Sequence, residues 1–164
     1  VYKRQDMGHV VKSVTALNGT GEIVRLTQKD LDFSYRHSAL QYQDLVVLSV
    51  SFVLKPEEQQ IIEAKMADFS RRRRTKQPLD YPSAGSTFKR PFGHYAAALI
   101  DEAGLKGMRV GDAMVSPKHA GFVINCGKAT ARDTLLLMRS IEDKVFAKSG
   151  VRLEPEVMII GEDV

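Results

Sequence analysis

The sequence has few of the residues that cross-link a protein or carry it into a membrane. Cys126 is the one cysteine among 164 residues, so neither a disulfide framework nor a cysteine metal site is available. A lone cysteine in an apolar run also favours a reducing compartment. No apolar run approaches the length that crosses a bilayer, and the N-terminus lacks the basic and then apolar segments of a secretion signal. We therefore expect a soluble, cytoplasmic protein with no membrane partner.

An excess of one charge is also lacking. Lysines and arginines number 24 against 20 aspartates and glutamates, which gives a formal net charge of +4. This excess is compatible with an anionic ligand, but it is too small to indicate a nucleic-acid-binding protein. We therefore expect no nucleic-acid partner. The four arginines at 71–74 suggest a phosphate-binding patch, although charge runs usually face water, and a solvated helix end is the favoured alternative.

Hydrophobic residues make up 43% of the chain, enough for a core in one domain, or in one domain plus part of another. The Asn-Gly-Thr-Gly turn at 18–21 predicts a β-hairpin, and the valine-rich run 45–54 predicts a buried strand. Glu57 and Glu58 are expected in the first turn of a helix, where they favour its dipole. The other predicted elements are helices at 57–73, 95–103 and 131–149, and short strands at 113–115 and 122–126.

The loop 81–91 is the first candidate site. Gly85 allows backbone conformations that are closed to other residues and a close approach of a ligand, to which Ser86 can present its hydroxyl. Lys89 and Arg90 add charge suited to phosphate or carboxylate. The alternative is an ordinary interdomain loop.

The segment 33–38 is a second candidate, because aromatic, cationic and hydroxyl groups lie close together in its sequence. Arg36 is suited to a bidentate pair with a ligand carboxylate. Alternatively, it is a structural arginine that stacks on Tyr35 or caps a helix end. Near the C-terminus, Glu156 precedes an apolar segment, where a carboxylate faces either a site or water.

His119 is the histidine that we consider for a site role. The favoured alternative is a histidine that hydrogen-bonds to the backbone and orders a turn. No second histidine, cysteine or acid lies nearby at metal-ligand spacing. We therefore predict no metal site.

Several of these segments together resemble one enzyme family, UDP-N-acetylenolpyruvoylglucosamine reductase, the flavoenzyme also called UDP-N-acetylmuramate dehydrogenase. Each motif is weak by itself, but their order along the chain makes the resemblance specific. It implies an enzyme of bacterial cell-wall synthesis that uses NADPH and FAD to reduce the enolpyruvyl group of a UDP-sugar to a lactyl group. The motifs are FSYRHS at 33–38, GSTFKRP at 85–91, AGLKG at 103–107, VSPKHAGF at 115–122 and EPEVMIIG at 154–161.

The resemblance also implies the roles of single residues. Ser86 matches the serine that protonates a substrate carbon after reduced flavin delivers hydride to the neighbouring carbon. Arg36 and Glu156 match the arginine and the glutamate that are grouped with it at the substrate carboxylate. Arg90 stands where some members of the family have asparagine. The positions that match substrate-binding residues are Tyr35, Lys89 and Arg90.

The division of the chain follows from the same resemblance, which implies an α+β fold. Residues 6–55 resemble the end of an antiparallel-sheet FAD-binding domain, 56–78 a helical connection, and 79–161 a small α+β substrate-binding domain. The N-terminal FAD-binding half of the family, expected before residue 6, is missing. Residues 1–5 have no family counterpart and are expected to be a non-native leader. We expect the chain by itself to be inactive.

Two other classes of function remain open. One is a free-standing, non-catalytic module that binds a nucleotide sugar or another polyanion through residues 71–74, Lys89 and Arg90. Salt sensitivity and indifference to the enolpyruvyl group favour that class. The other is a structural partner domain, which predicts no ligand.

Overall fold

The computed structural model of the chain describes residues 7–161 and has the expected α+β fold. The predicted leader, residues 1–5, lies outside the described residues. The chain divides into two compact units, Val1–Ile61 and Ile62–Val164, while the domain boundaries that the resemblance implies stay a prediction. In chain order, the strands and helices are β1 (Val11–Asn18), β2 (Ile23–Thr27), β3 (Leu45–Phe52), α1 (Gln59–Lys76), α2 (Ala96–Glu102), β4 (Arg109–Val110), β5 (Ala113–Val115), β6 (Val123–Asn125) and α3 (Ala131–Ser149). Within the described range, no helix combines the length and the hydropathy that a membrane crossing needs.

The first unit is an antiparallel, three-stranded sheet with the strand order β2-β1-β3. The predicted hairpin is confirmed, since β1 and β2 are antiparallel neighbours. Its turn forms because the side-chain oxygen of Asn18 accepts hydrogen bonds from the backbone N–H groups of Thr20 and Glu22. The fully buried core of this unit is small and consists of Val11, Val14, Ala16 and Leu31.

The burial predicted for β3 is wrong. The structure has a strand at this valine-rich run, but the residues Val46, Leu48 and Phe52 are 61%, 53% and 52% exposed. Within the described residues, β3 pairs with β1 alone and forms an edge of the sheet. The small core of the unit cannot cover both faces of so apolar a strand. The sequence pattern therefore indicates the strand correctly but not its burial.

We expect the exposed β3 edge to make the 164-residue chain self-associate, because residues 45–54 contain no charge or proline that opposes edge pairing. Replacing Leu48 with lysine should weaken the association about tenfold, equivalent to ~1.4 kcal/mol, in sedimentation velocity. Gln43→Lys adds the same charge at an exposed position just before the strand and should change nothing. Equal self-association of the wild type and Leu48→Lys would contradict this expectation.

The second unit has an antiparallel sheet with the strand order β4-β5-β6. α3 packs against β4 and β5, and α2 packs against α3. The unit has a much larger core than the first, so it is the part of the chain that can hold a site in a fixed geometry. Its buried hydrophobic residues are Phe88, Ala96, Leu99, Ile100, Leu105, Ala113, Val115, Ala120, Val123, Leu137, Met138, Ile141, Val145 and Leu153.

α3 begins and ends at residues that favour those positions. Thr130 Oγ1 accepts a hydrogen bond from the Asp133 N–H at 3.1 Å, and the Asp133 carboxylate accepts one from the Thr130 N–H at 2.9 Å. The bond from the Thr130 backbone is the main cause that lowers the pKa of Asp133, since it stabilises the charged carboxylate. Gly150 ends the helix in the left-handed conformation, with a φ of 70°.

α1 starts later than the sequence predicts. Glu57 and Glu58 precede the helix, so the expected acidic first turn is not formed. Basic residues do occupy its last turn, where they favour the negative end of the helix dipole: Arg73, Arg74 and Lys76. None of the side chains of α1 is buried, and the connecting role of this segment stays a prediction.

Candidate functional site

The loop that carries Ser86 is fixed to the second unit through the next residue, Thr87. Thr87 is buried, and its backbone N–H donates to the carbonyl of Gly121 at 2.9 Å. Its side-chain oxygen accepts a hydrogen bond from the N–H of Val123 at 3.1 Å. Phe88 follows and is also buried, whereas Ser86 is exposed. Ser86 is therefore exposed at the surface, next to a residue whose position is fixed by hydrogen bonds.

Gly85 determines the backbone path into Ser86. Its φ of 86° lies in the left-handed region that favours glycine. No heavy atom lies within 4 Å of the position that a Cβ would take, so space is not the reason for the glycine. The backbone conformation itself requires this residue, as the sequence of the loop indicated.

Glu156 lies on a segment that runs alongside Thr87. The backbone N–H of Glu156 donates to the Thr87 carbonyl at 2.8 Å. In the same ladder, the N–H of Lys89 donates to the Glu154 carbonyl, also at 2.8 Å. Ser86 and Glu156, which are far apart in sequence, are therefore brought onto neighbouring segments. A hydroxyl and a half-buried acid on adjacent segments are the kind of convergent polar groups that a ligand site uses.

The two adjacent basic side chains have different partners. Nζ of Lys89 pairs with Oε2 of Glu154 at 3.2 Å, and both side chains are exposed. The Arg90 guanidinium instead lies over the ring of Tyr95, with Cζ 4.0 Å from the ring centroid, and its Nε donates to the carbonyl of His94 at 3.2 Å. Because exposed ion pairs contribute little stability, Lys89 can exchange Glu154 for an anionic ligand at small cost.

Arg36 lies in the first unit, in an unusual backbone conformation. Its φ of 56° is in the left-handed region although it is not a glycine, and backbone hydrogen bonds between Ser34 and His37 close the turn around it. Its guanidinium carbon lies 5.6 Å from the centroid of the Tyr35 ring, within cation–π distance. This is the stacked arrangement that the structural alternative expects. Strained conformations of this kind also cluster at functional sites, so the two interpretations are compatible.

The predicted site residues are divided between the two units. Arg36 and Tyr35 belong to the first unit. The grouping of Arg36 with Ser86 and Glu156 stays a prediction. The second unit holds Ser86, Lys89, Arg90 and Glu156.

Comparison with known proteins identifies the family. Residues 77–160 match the family described as UDP-N-acetylenolpyruvoylglucosamine reductase, C-terminal domain. The chain belongs to this family. The matched range includes Ser86 and Glu156, whereas Arg36 precedes it. The reductase resemblance of the sequence motifs is thereby confirmed.

Whole reductases extend the similarity to nearly the entire chain. UDP-N-acetylenolpyruvoylglucosamine reductase of Streptococcus pneumoniae strain Hungary19A-6 is 51% identical over 157 residues, which are 96% of this chain and 52% of the relative. The protein of the same name from strain ATCC BAA-334 / TIGR4 is 50% identical over 159 residues, 97% of this chain and 50% of the relative. The crystal structure of the reductase from Thermus caldophilus matches with a TM-score of 0.79 and 36% identity, over 92% of this chain and 53% of that one. The chain spans about half the length of the reductases it matches.

His119 of this reductase-family chain orders a turn. Its Nδ1 accepts a hydrogen bond from the N–H of Gly121 at 3.1 Å, and its ring meets that of Phe122 edge-on, with centroids 5.0 Å apart. This is the backbone-bonded arrangement that the sequence favoured. Across residues 7–161, no group of three histidines, cysteines or acids is arranged to hold a metal ion.

The arginine run at 71–74 is an exposed helix end. Asp68 accepts from Arg71 at 2.5 Å and from Arg72 at 2.7 Å. The hydrogen bond from the Arg71 side chain is the main cause that lowers the pKa of Asp68. Lys118 donates to the carbonyl of Arg74 at 2.7 Å, which satisfies one of the free carbonyls at the end of the helix. The exposure of the run agrees with the solvated-helix interpretation, and a phosphate-binding role stays a prediction.

Two residues of the site were not predicted from the sequence. Thr87 anchors the loop through its side chain and backbone, and its position directly after Ser86 in the reductase motif is a signal that could have found it. The other residue is Tyr95, whose ring stacks against the Arg90 guanidinium. The spacing between Arg90 and Tyr95 is typical of neither a helix face nor a strand face, so no sequence pattern indicates their contact.

Proposed function

We propose that this chain is the C-terminal part of a UDP-N-acetylenolpyruvoylglucosamine reductase, an NADPH-dependent flavoenzyme of peptidoglycan synthesis. The observation that carries the proposal is the hydrogen-bonded pairing of the Ser86 loop with the Glu156 segment, inside the range that matches the family. The substrate is a UDP-sugar that bears an enolpyruvyl group. We expect the complete enzyme to act in the cytoplasm, with neither nucleic acid nor a membrane as its partner.

Flavin binding is assigned mainly to the N-terminal half of the reductase family, because residues 6–55 resemble only the end of its FAD-binding domain. The described residues of the first unit do not fit a flavin by themselves, because the unit is a three-stranded sheet with a small core and an exposed outer strand. No reaction step is therefore assigned to a flavin contact of this chain. When bound in the complete enzyme, FAD supplies the hydride that originates from NADPH.

Ser86 is proposed as the proton donor. Reduction of the enolpyruvyl double bond adds a hydride to one carbon and a proton to its neighbour, so an acid must face the second carbon. A serine hydroxyl is a weak acid and requires an accurate pose and charged surroundings. The hydrogen bonds that anchor the adjacent Thr87 support the pose.

Arg36 and Glu156 are proposed to act at the substrate carboxylate. Hydride addition builds negative charge toward that carboxylate, so a cation and a hydrogen-bonding acid beside it stabilise the transition state. Arg36 suits the cationic role because a guanidinium binds a carboxylate through two parallel hydrogen bonds. The neighbouring position of the Thr87 and Glu156 segments supports the role of the glutamate. The remaining anionic and polar groups of the substrate are assigned to Tyr35, Lys89 and Arg90.

The alternative of a non-catalytic module for a nucleotide sugar or another polyanion is less well supported. Asp68 pairs with Arg71 and Arg72, and Glu154 pairs with Lys89. These acids lower the positive potential that a polyanion-binding surface needs. The reductase is therefore the preferred function.

Sequencing the source DNA upstream of the codon for Asp6 tests this proposal. We expect a continuous reading frame for the FAD-binding half, and flavin absorbance that stays with the protein made from that frame during gel filtration. The 164-residue chain alone should carry no flavin and show no reductase activity. A genuine start codon just upstream, with no flavin-binding half nearby, would overturn the proposal and favour the binding module.

A further inference from the structure

The Arg90 side chain is held in one pose although it is exposed. Stacking on Tyr95 at 4.0 Å fixes the plane of the guanidinium, and the hydrogen bond from Nε to His94 fixes its rotation within that plane. An exposed arginine otherwise samples many rotamers, and ordering it on binding weakens affinity. Arg90 has therefore already lost much of the freedom that binding an anion would remove.

The contacts of Arg90 leave its charge available. Neither a ring face nor a backbone carbonyl carries a negative charge, and in the described part of the chain no carboxylate pairs with Arg90. The neighbouring Lys89 differs, because it pairs with Glu154. The Arg90 guanidinium thus has a fixed orientation and a charge that no carboxylate compensates. Both properties favour binding of an anionic ligand.

Tyr95 is well placed to orient Arg90 because the backbone is held in place both directly before Arg90 and directly after Tyr95. Tyr95 directly precedes α2, whose Ala96, Leu99 and Ile100 are buried in the core of the second unit. On the other side, the backbone N–H of Lys89 is hydrogen-bonded to Glu154. Tyr95 itself is 57% exposed, so it is not part of the core.

We propose that Tyr95 is a positioning residue of the substrate site, whose ring holds the Arg90 guanidinium in the pose that binds an anionic oxygen of the substrate. This inference rests on the proposed reductase function, because it names the part of that site that Arg90 and Tyr95 form. Tyr95 acts through Arg90 and needs no contact with the substrate of its own. The face of the ring is what matters, and the hydroxyl is not required.

Steady-state kinetics of the complete enzyme test the proposal. Tyr95→Leu removes the ring and should raise the KM for the enolpyruvyl sugar about fivefold, the upper range for an exposed cation–π contact, with kcat nearly unchanged. Tyr95→Phe keeps the ring face and should behave as the wild type. In an Arg90→Ala background, Tyr95→Leu should have no further effect, because the two residues act through one contact.

Inhibition by UDP-N-acetylglucosamine shows which anionic group of the substrate Arg90 binds. This compound has the diphosphate of the substrate but lacks its enolpyruvyl carboxylate. If Arg90 binds the diphosphate, Tyr95→Leu should raise the inhibition constant of this compound by the same factor as the KM. If Arg90 binds the carboxylate, only the KM should rise. Either result supports a positioning role. Equal effects of Tyr95→Leu and Tyr95→Phe, or a further loss in the Arg90→Ala background, would overturn it.

Nuclear magnetic resonance separates this inference from the proposed function. In the wild type and in Tyr95→Phe, the Cδ protons of Arg90 should be shifted upfield by the aromatic ring, and in Tyr95→Leu the shift should disappear. If the wild-type enzyme does not reduce the enolpyruvyl sugar, the function fails while this readout still reports the stacking. An Arg90 signal that is the same in wild type and Tyr95→Leu would overturn the positioning role whatever the activity.

Discussion

Replacing Ser86 with alanine is expected to slow reoxidation of the flavin by substrate at least about 100-fold in the complete enzyme, the lower range of what a general acid contributes. Reduction by NADPH should keep its wild-type rate, because that half-reaction needs no proton from Ser86. The substitution removes the hydroxyl while leaving intact the hydrogen bonds of Thr87 that hold the loop. Stopped-flow absorbance measures the two half-reactions separately.

Ser83→Ala is the matched control for this experiment. Ser83 is an exposed serine in the same loop, and its backbone forms a bridge with Ile124 that alanine can also make. Both half-reactions should keep their wild-type rates in this variant. An equal loss of both half-reactions in Ser86→Ala would refute the role of proton donor, since it would indicate general damage to the enzyme.

Replacing Leu137 with alanine should lower the free energy of unfolding by about 2–5 kcal/mol, the range for leucine-to-alanine changes in a core. Leu137 is 0% exposed in α3 and belongs to the core that also holds Ile100 and Val115. The loss comes from the hydrophobic contacts removed and from the cavity left behind. Because domains are stable by only ~5–15 kcal/mol, urea unfolding followed by circular dichroism should show a large shift of the midpoint.

The neighbouring Leu136 gives an internal comparison for the core of the second unit. It lies on the same helix but is 41% exposed, and Leu136→Ala is the same chemical change. We expect it to cost under ~1 kcal/mol, as most substitutions at partly exposed positions do. If Leu136→Ala and Leu137→Ala shift the midpoint equally, the side of α3 that faces the core is assigned wrongly.

Elements with local chemical signals were predictable from the sequence. The hairpin depends on the side chain of Asn18, and α3 depends on Thr130 at its start and Gly150 at its end, all of which act on their immediate neighbours. The burial of β3 was not predictable, because an apolar run specifies a strand without specifying what covers it. Glu57 and Glu58 were placed in a helix that begins after them, since helix ends are poorly specified by spacing.

The candidate site was predictable only where its motifs resemble the reductase family. Those motifs singled out Ser86 and Glu156, and the structure pairs their segments through Thr87. The contact between Arg90 and Tyr95 depends on how one short loop folds back, which no periodic pattern encodes. The left-handed conformation of Arg36 was likewise unpredictable, because such conformations are rare outside glycine, asparagine and aspartate.

The most direct test of the proposed function is a single-turnover experiment with the complete enzyme. Its flavin is first reduced with NADPH in the absence of oxygen, and the reduced enzyme is then mixed with UDP-N-acetylglucosamine enolpyruvate. We predict that flavin absorbance returns together with formation of UDP-N-acetylmuramate, and that UDP-N-acetylglucosamine produces no such return. A protein that holds reduced flavin and binds the enolpyruvyl sugar, yet forms no UDP-N-acetylmuramate, would contradict the proposed reductase.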